Sequence, residues 1–315
     1  MTDAGGFSPD LLAVARTLGL DRAAVLAIDR LTASGIPSIL LKGAAIASWL
    51  YDDGEARPYV DVDLLVSPRQ LEPAKAALAD LGYLDRLAGA DPAEFGLKEQ
   101  ELFGPDNVCV DLHHGLIGVT IPPARCWDLL TSHTAMMAIS FGSWVPVLDI
   151  PARTMHLALH AAQNGPVDRK ALTDLERGLT RLSPDDWRQA SILAQDLGAD
   201  QAFAAGLRLL PAGRAMADHL SLTRGMSVEL ALRSGSAPQN AIFLERVAST
   251  PGLRRKATLV ARKLFPTSAY LRARSPEVGA RALVRAWSSH FNDIARRLGP
   301  SLVAWRRARS AVRPD

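Results

Sequence analysis

Apolar residues recur at helical spacing from Asp21 to Ser34, with Val25, Ile28 and Leu31 on one side, Asp21 placed as an N-cap and Gly35 just past the end. A shorter helix is predicted before it, over Pro9 to Leu18. The period then changes. Ile36-Pro-Ser-Ile-Leu-Leu41 predicts a buried strand that runs into a Lys42-Gly43 turn, and Ala44 to Leu50 restarts as a helix. Asp52 to Tyr59, carrying Gly54 and Pro58, is a loop, and Val60 to Val66 alternates as a second strand. Ser67-Pro68 predicts the start of a helix reaching about Leu81, which Gly82 ends. Further strands are expected over Tyr83 to Leu87, Leu97 to Phe103 and Val108 to His113, the last after a Gly-Pro-Asp-Asn turn. After Asp149 the chain turns to long apolar-periodic segments punctuated at Gly165-Pro166, Ser183-Pro184, Gly198 and Pro211, a helical half.

The fold expected is α+β: a small mixed sheet flanked by helices in residues 1–150, followed by a helical C-terminal domain with a basic tail in residues 151–315. Length and composition agree with this, since 315 residues with 48% hydrophobic and 22% charged suit a folded globular protein of one or two domains. No apolar run is long enough for a membrane span, and the N-terminus lacks the basic and apolar regions of a signal peptide, so a cytoplasmic location is expected. Cys109 and Cys126 are too few for a disulfide framework.

The net charge of +3 conceals an asymmetry. From Leu253 to Asp315 there are 15 Lys and Arg against three acids, or +12, which leaves −9 for the rest. Arg254-Arg-Lys256, Arg262-Lys263, Arg272, Arg274, Arg281, Arg285, Arg296-Arg297 and Arg306-Arg307 interleave with Trp287, Phe291 and Trp305. Such a segment can attract nucleic acid, an acidic membrane surface or an acidic peptide, or can pack on the acidic part of the chain. No nucleic-acid motif accompanies it, which favours the intramolecular or acidic-partner alternative; nucleic acid stays possible.

The candidate chemistry lies in the run Tyr-Val-Asp-Val-Asp-Leu-Leu-Val. Residues two apart on a strand share a face about 6 to 7 Å apart, so Asp61 and Asp63 project together while Val62 and Leu64 face the core. Two carboxylates so close tolerate ionisation when a cation lies between them, and magnesium prefers such hard oxygen ligands. A solvated strand edge can also carry two acids, but neighbouring features point further. Lys42-Gly43-Ala44 sits at a strand-to-helix junction whose backbone N–H groups can hold a phosphate. Asp111 is embedded in Val108-Cys-Val-Asp-Leu-His113, where a carboxylate needs a partner, either a salt bridge or a metal. Arg57 in the intervening loop is placed to reach phosphate or to pair with the acids. His113, His114, His133 and the two cysteines fit no zinc spacing, and His113 is expected to line the site or face the core. His156 and His160 share one face of a helix, and Asp168, Arg169, Lys170, Asp174 and Arg177 follow on the next.

Leu-Leu-Lys-Gly-Ala-Ala, Tyr51, Arg57-Pro and Asp61-Val-Asp-Leu-Leu-Val, followed by Val110-Asp-Leu-His-His, resemble in order and spacing the bacterial uncharacterised nucleotidyltransferase family of the DNA polymerase β-like superfamily. That family occurs in clusters for modified peptides, including lasso peptides, and for polysaccharides. The resemblance covers roughly residues 35 to 180. It departs from the wider superfamily at Ala44, often Gly or Ser there, and in the 17 residues between Gly43 and Asp61.

The resemblance implies an α+β nucleotidyltransferase core whose helical C-terminal region closes over the nucleotide. Two Mg2+ ions would be held by Asp61, Asp63 and Asp111, one bridging all three, with Asp111 nearest the acceptor hydroxyl. Lys42, Gly43, Ala44 and Arg57 would bind the nucleotide, with Lys170 on phosphate and Asp174 orienting it, although a salt-bridged helix face would carry the last two equally well. The implied reaction is transfer of a nucleoside monophosphate, AMP by preference, from an NTP to a hydroxyl or phosphate of a small molecule or modified peptide, with release of pyrophosphate. A toxin-like enzyme acting on tRNA and a degenerate nucleic-acid or peptide-binding module are the alternatives.

Overall fold

The structure, a computed structural model, describes residues 9–52, 54–85, 99–105, 108–266, 271 and 280–312, in two compact units. The first takes residues 9–85, Glu99–Gly115 and Pro122–Ile150. Its strands β1 (Ser38–Leu40), β2 (Asp61–Val66), β3 (Leu84–Asp85), β4 (Glu99–Phe103), β5 (Cys109–His113), β6 (Thr134–Ala138) and β7 (Trp144–Leu148) form one mixed sheet in the order β3-β4-β5-β2-β1-β7-β6. β2 pairs antiparallel with β1 and parallel with β5; β4 is antiparallel to β5.

Alternation decides which face of the sheet is the core. Val62, Leu64 and Val66 of β2, Val110 and Leu112 of β5 and Leu102 of β4 join one buried cluster with Leu40, Val145 and Val147. Helices α1 (Pro9–Ala33) and α3 (Leu71–Ala79) cover that face through Ala24, Ala27, Ile28 and Leu31 and through Ala74, Ala77 and Leu78. Each large aliphatic side chain buried there contributes about 2 kcal/mol. Helix α2 (Ala44–Leu50) follows β1, and α4 (Pro123–Thr131) precedes β6.

Two sequence expectations need correction. The predicted helices over Pro9 to Leu18 and Asp21 to Ser34 are one continuous helix, because Gly19 costs only about 1 kcal/mol in a helix and the apolar stripe from Leu20 to Leu31 is buried. Asp21 is therefore no N-cap. It lies buried within α1, and its carboxylate accepts hydrogen bonds from the Tyr59 and Ser140 hydroxyls. Ser67-Pro68 opens a single 3-10 turn, Pro68–Gln70, and α3 starts after it. Parts of the strands expected over Tyr83 to Leu87 and Leu97 to Phe103 lie outside the described residues. The hairpin β6–β7 and α4 had no sequence expectation. Pro146 inside Trp144–Leu148 masks the strand, since proline cannot donate to a ladder.

The second unit, residues 116–121 and 151–312, is helical: α5 (Ile150–Asn164), α6 (Arg169–Arg181), α7 (Pro184–Asp196), α8 (Asp200–Leu207), α9 (Pro211–His219), α10 (Val228–Ser234), α11 (Gln239–Ser249), α12 (Leu253–Leu264) and α13 (Ala280–Ala311). Caps set the starts: the Asp168 carboxylate accepts from the Ala171 N–H at 3.1 Å, and Ser183 and Asp186 form a reciprocal capping box. Trp187 and Phe203 meet in the core with tilted rings, 6.2 Å between centroids.

Helix α8 approaches α5 so closely that a methyl group at Gly206 would lie 1.9 Å from the Ala158 carbonyl oxygen. Gly206→Ala is expected to lower stability by about 2 kcal/mol through overpacking. Gly19→Ala, with nothing within 4 Å of the new methyl, is expected to raise it by up to about 1 kcal/mol. Denaturant midpoints of the two variants check the pair; shifts of equal sign would contradict the close contact.

Candidate active site

The parallel pairing of β2 with β5 sets Asp63 directly beside Asp111 and Asp61 beside Cys109. All four side chains, with His113 two residues beyond Asp111, stand on the face opposite the apolar core. The antiparallel partner strand places Glu101 opposite Asp111, so Asp63, Asp111 and Glu101 form one transverse row across three strands. Asp61 stands half-buried at the first position of β2.

Asp63 is the buried centre of this face, 3% exposed. Its Oδ1 lies 2.6 Å from the Lys42 ammonium and 2.8 Å from Nε2 of His113. An ionised carboxylate can only accept, so Nε2 of His113 carries the proton in this contact. Burial by itself would push the Asp63 carboxyl up, but the Lys42 charge and the His113 hydrogen bond together outweigh it and hold the group well below the usual carboxylate range. Asp111 moves the other way. Burial raises it, the Cys109 hydrogen bond opposes, and the neighbouring Asp63 and Asp61 charges raise it further, to about 6. Cys109 donates its S–H to Asp111 Oδ1 at 3.2 Å, and burial together with the Asp111 charge pushes its thiol up, so it remains a donor.

The turn before α2 is braced from beneath. Gly43 has φ +58°, a conformation that strains any side chain, and a Cβ there would also press on the Tyr59 ring at 3.3 Å. Arg57 is buried and donates from Nη1 to the Gly43 carbonyl at 3.4 Å. That hydrogen bond ties Arg57 to the turn, in the loop where the sequence expects it to reach phosphate or to pair with the acids. Ala44, the first residue of α2, is buried.

Among the described residues, Asp63, Asp111 and His113 each offer a ligand atom, and these atoms all lie within 4.8 Å of one another. The two carboxylates suit a hard divalent ion, and His113, whose Nε2 is engaged with Asp63, stands beside them. The Lys42 ammonium at Asp63 marks the same demand for positive charge. Sequence reasoning gave the carboxylates and underrated His113 and Cys109. The signal was there in the alternation Cys109, Asp111, His113, which fixes three polar side chains on one face of β5.

Lys170 and Asp174 lie on α6 of the second unit, Lys170 half-buried and Asp174 fully buried. Asp168 caps that helix and accepts from Asn164 Nδ2 at 2.6 Å, and the same amide meets Nε2 of His160 at 3.1 Å. Among the described residues His133 stands in no group of potential metal ligands; its Nδ1 lies 2.8 Å from an Asp149 carboxylate oxygen.

An antigenic nucleotidyltransferase-like protein from Paracoccidioides brasiliensis, known from a crystal structure, is similar to this chain at 16% identity and a TM-score of 0.39, covering 64% of this chain and 91% of that one. No curated protein matches the chain significantly. Residues 9–212 match the model of the family described as "Uncharacterised nucleotidyltransferase", and that span, which includes every strand of the sheet, places the chain in this family of nucleotidyltransferases.

Proposed function

We propose that the chain transfers a nucleoside monophosphate, AMP from ATP in the first instance, to a hydroxyl or phosphate on a small molecule or modified peptide, releasing pyrophosphate. The observation that carries this is the register of β2 and β5, which sets Asp63 beside Asp111 on one polar face with Lys42 at hand. Asp61, Asp63 and Asp111 would hold two magnesium ions, and His113 steadies Asp63. When bound, these ions supply Lewis-acid stabilisation of the charge on the triphosphate.

The carboxylates divide the remaining work because their environments differ. Asp63, held strongly acidic, stays ionised throughout. Asp111, raised to about 6, is a better proton acceptor than an ordinary carboxylate and is still largely ionised at neutral pH, which suits a base for the acceptor hydroxyl. Lys42 neutralises Asp63 in the resting protein and is the proposed phosphate contact of the turn formed by Gly43 and Ala44, which Arg57 keeps in shape. Lys170 is proposed as a further phosphate contact oriented by Asp174, one helical turn along α6. Residues 1–150 are proposed as the catalytic domain and 151–315 as its helical partner.

Incubation with each labelled NTP, magnesium and candidate acceptors, followed by mass spectrometry, tests the proposal. A nucleotidyl adduct of AMP mass with release of pyrophosphate is expected. Failure to bind any NTP would overturn it.

A further inference from the structure

The C-terminal helices show apolar side chains to solvent where charge alone would have kept the chain soluble. On α12, Leu253, Val260 and Leu264 fall within a narrow arc of the helix, with Ala257 and Ala261 extending it to roughly a quarter of the circumference. No charged residue enters that arc. Leu253 is 84% exposed, Val260 is also exposed, and Phe265 just past the helix end is 65% exposed. Lys256 and Lys263 flank the stripe on one side and Arg254 on the other, while Arg255 and Arg262 occupy the far side. The other edge of α12 rests on α11.

The start of α13 is fastened to this stripe. Phe265 meets Phe291 edge-on at 6.2 Å and lies 6.4 Å from Trp287; Trp287 stacks on Phe291 at 5.6 Å; and Nε2 of His290 donates to the Lys263 carbonyl at 2.9 Å. The far end of α13 is anchored on α10 and α11, with Ser301 buried and the Trp305 indole N–H donating to Glu245 at 2.7 Å. In between, Val284, Phe291 and Leu298, each seven residues from the next, remain exposed on one side. Arg281, Arg285, Arg296 and Arg297 accompany them. Among the described residues from 253 to 312, Asp293 is the sole acid, and Arg297 pairs with it at 2.8 Å.

An apolar stripe bordered by long cationic side chains is the arrangement that settles in the boundary between headgroups and acyl chains of an acidic bilayer. The aliphatic groups leave water, the stems of Lys and Arg follow them, and the charged ends meet anionic headgroups. No helix among the described residues is long and apolar enough to cross a membrane, so the contact is one of lying on the surface. A nucleic acid fits less well: Leu253, Val260, Val284 and Leu298 have nothing to offer a phosphodiester backbone, and Trp287 is already stacked on Phe291 rather than open to a base.

We propose that the face formed by α12, Phe265 and the adjoining start of α13 docks the protein on an anionic lipid bilayer. This assignment is independent of the chemistry proposed for the carboxylate site. The test is co-sedimentation of the full-length protein with vesicles of phosphatidylcholine alone or with added phosphatidylglycerol, at low and high salt. Binding is expected to the anionic vesicles and not to the neutral ones. Leu253→Ser/Val260→Ser, which leaves every charge in place, is expected to weaken it roughly tenfold or more, as is Arg254→Gln/Lys256→Gln/Lys263→Gln, which neutralises the cations that flank the stripe. Circular dichroism checks that both variants keep their helices; Leu253, Val260 and Arg254 are exposed, and Phe265 keeps its contacts with Trp287 and Phe291 in both. Absence of binding to anionic vesicles would overturn the proposal. So would undiminished binding by the serine variant, which would mean a contact made by charge alone, or tighter retention of an RNA oligonucleotide than of vesicles at matched salt.

Discussion

Asp63→Asn is expected to reduce nucleotide transfer about a thousandfold or more, the loss of several kcal/mol of charge stabilisation when a buried metal-binding carboxylate becomes a neutral amide. The same substitution also removes a structural interaction. Asp63 is buried and bonded by Lys42 and His113, so its neutralisation leaves the largely enclosed Lys42 ammonium facing an amide. Breaking one side of such a pair costs about 3 kcal/mol. A fall in activity from the single variant could then be blamed on the fold. Asp63→Asn combined with Lys42→Met separates stability from chemistry, because the double variant buries no unmatched charge, and Lys42→Met alone measures the activity lost with the proposed phosphate contact. The double variant is expected to regain most of the lost stability in a denaturant melt and to remain inactive with labelled ATP. Wild-type transfer rates in either variant carrying Asp63→Asn would refute the carboxylate assignment.

Asp111→Asn is expected to make the metal-free protein more stable at neutral pH, by about 2 to 3 kcal/mol, while abolishing its stabilisation by magnesium. The sign follows from the raised carboxyl. With a folded value of about 6 against an ordinary 3.8, the folded chain binds this proton more tightly than the unfolded chain does. The ionised form is therefore a burden that is absent below about pH 4, grows between pH 4 and 6 and is complete above. Asn carries no such charge, so melts in chelator should show the variant well ahead at pH 8 and level with the wild type near pH 4. Asp63 acts in the opposite sense: its depressed value contributes stability at neutral pH that is withdrawn as the pH falls below the ordinary carboxylate range. Magnesium should raise the melting temperature of the wild type and leave Asp111→Asn unmoved. A variant equally destabilised at every pH would show that Asp111 is a structural acceptor for Cys109 rather than a strained ligand.

How far the sequence revealed this site depends on which interactions are local. The two-residue period of Val60 to Val66 placed Asp61 and Asp63 on one face, and the strand around Asp111 was equally plain, because alternation is written in the chain itself. The register that puts Asp63 beside Asp111 was not, since it depends on contacts between segments 48 residues apart. Asp21 shows the same limit: a short acid before an apolar periodic stretch reads as an N-cap, yet its hydrogen bonds come from Tyr59 and Ser140. Arg57 lies in a loop as expected, but its burial and its hydrogen bond to the Gly43 carbonyl were not legible, because nothing nearby in sequence announces that acceptor. Trp144-Val-Pro-Val-Leu148 was passed over because its proline speaks against a strand, although Val145 and Val147 still alternate into the core.

The joining of Asp21, Tyr59 and Ser140 bears on the order in which the molecule assembles. One carboxylate gathers three segments separated by 38 and 119 residues, and the Tyr59 ring it positions is the wall against which the Gly43 turn forms. Closing such distant segments is entropically slow compared with forming the helices. The support that Asp21 gives to Tyr59, and through it to the Gly43 turn, is therefore expected to be complete only after the segment around Ser140 has joined, later than the helices form.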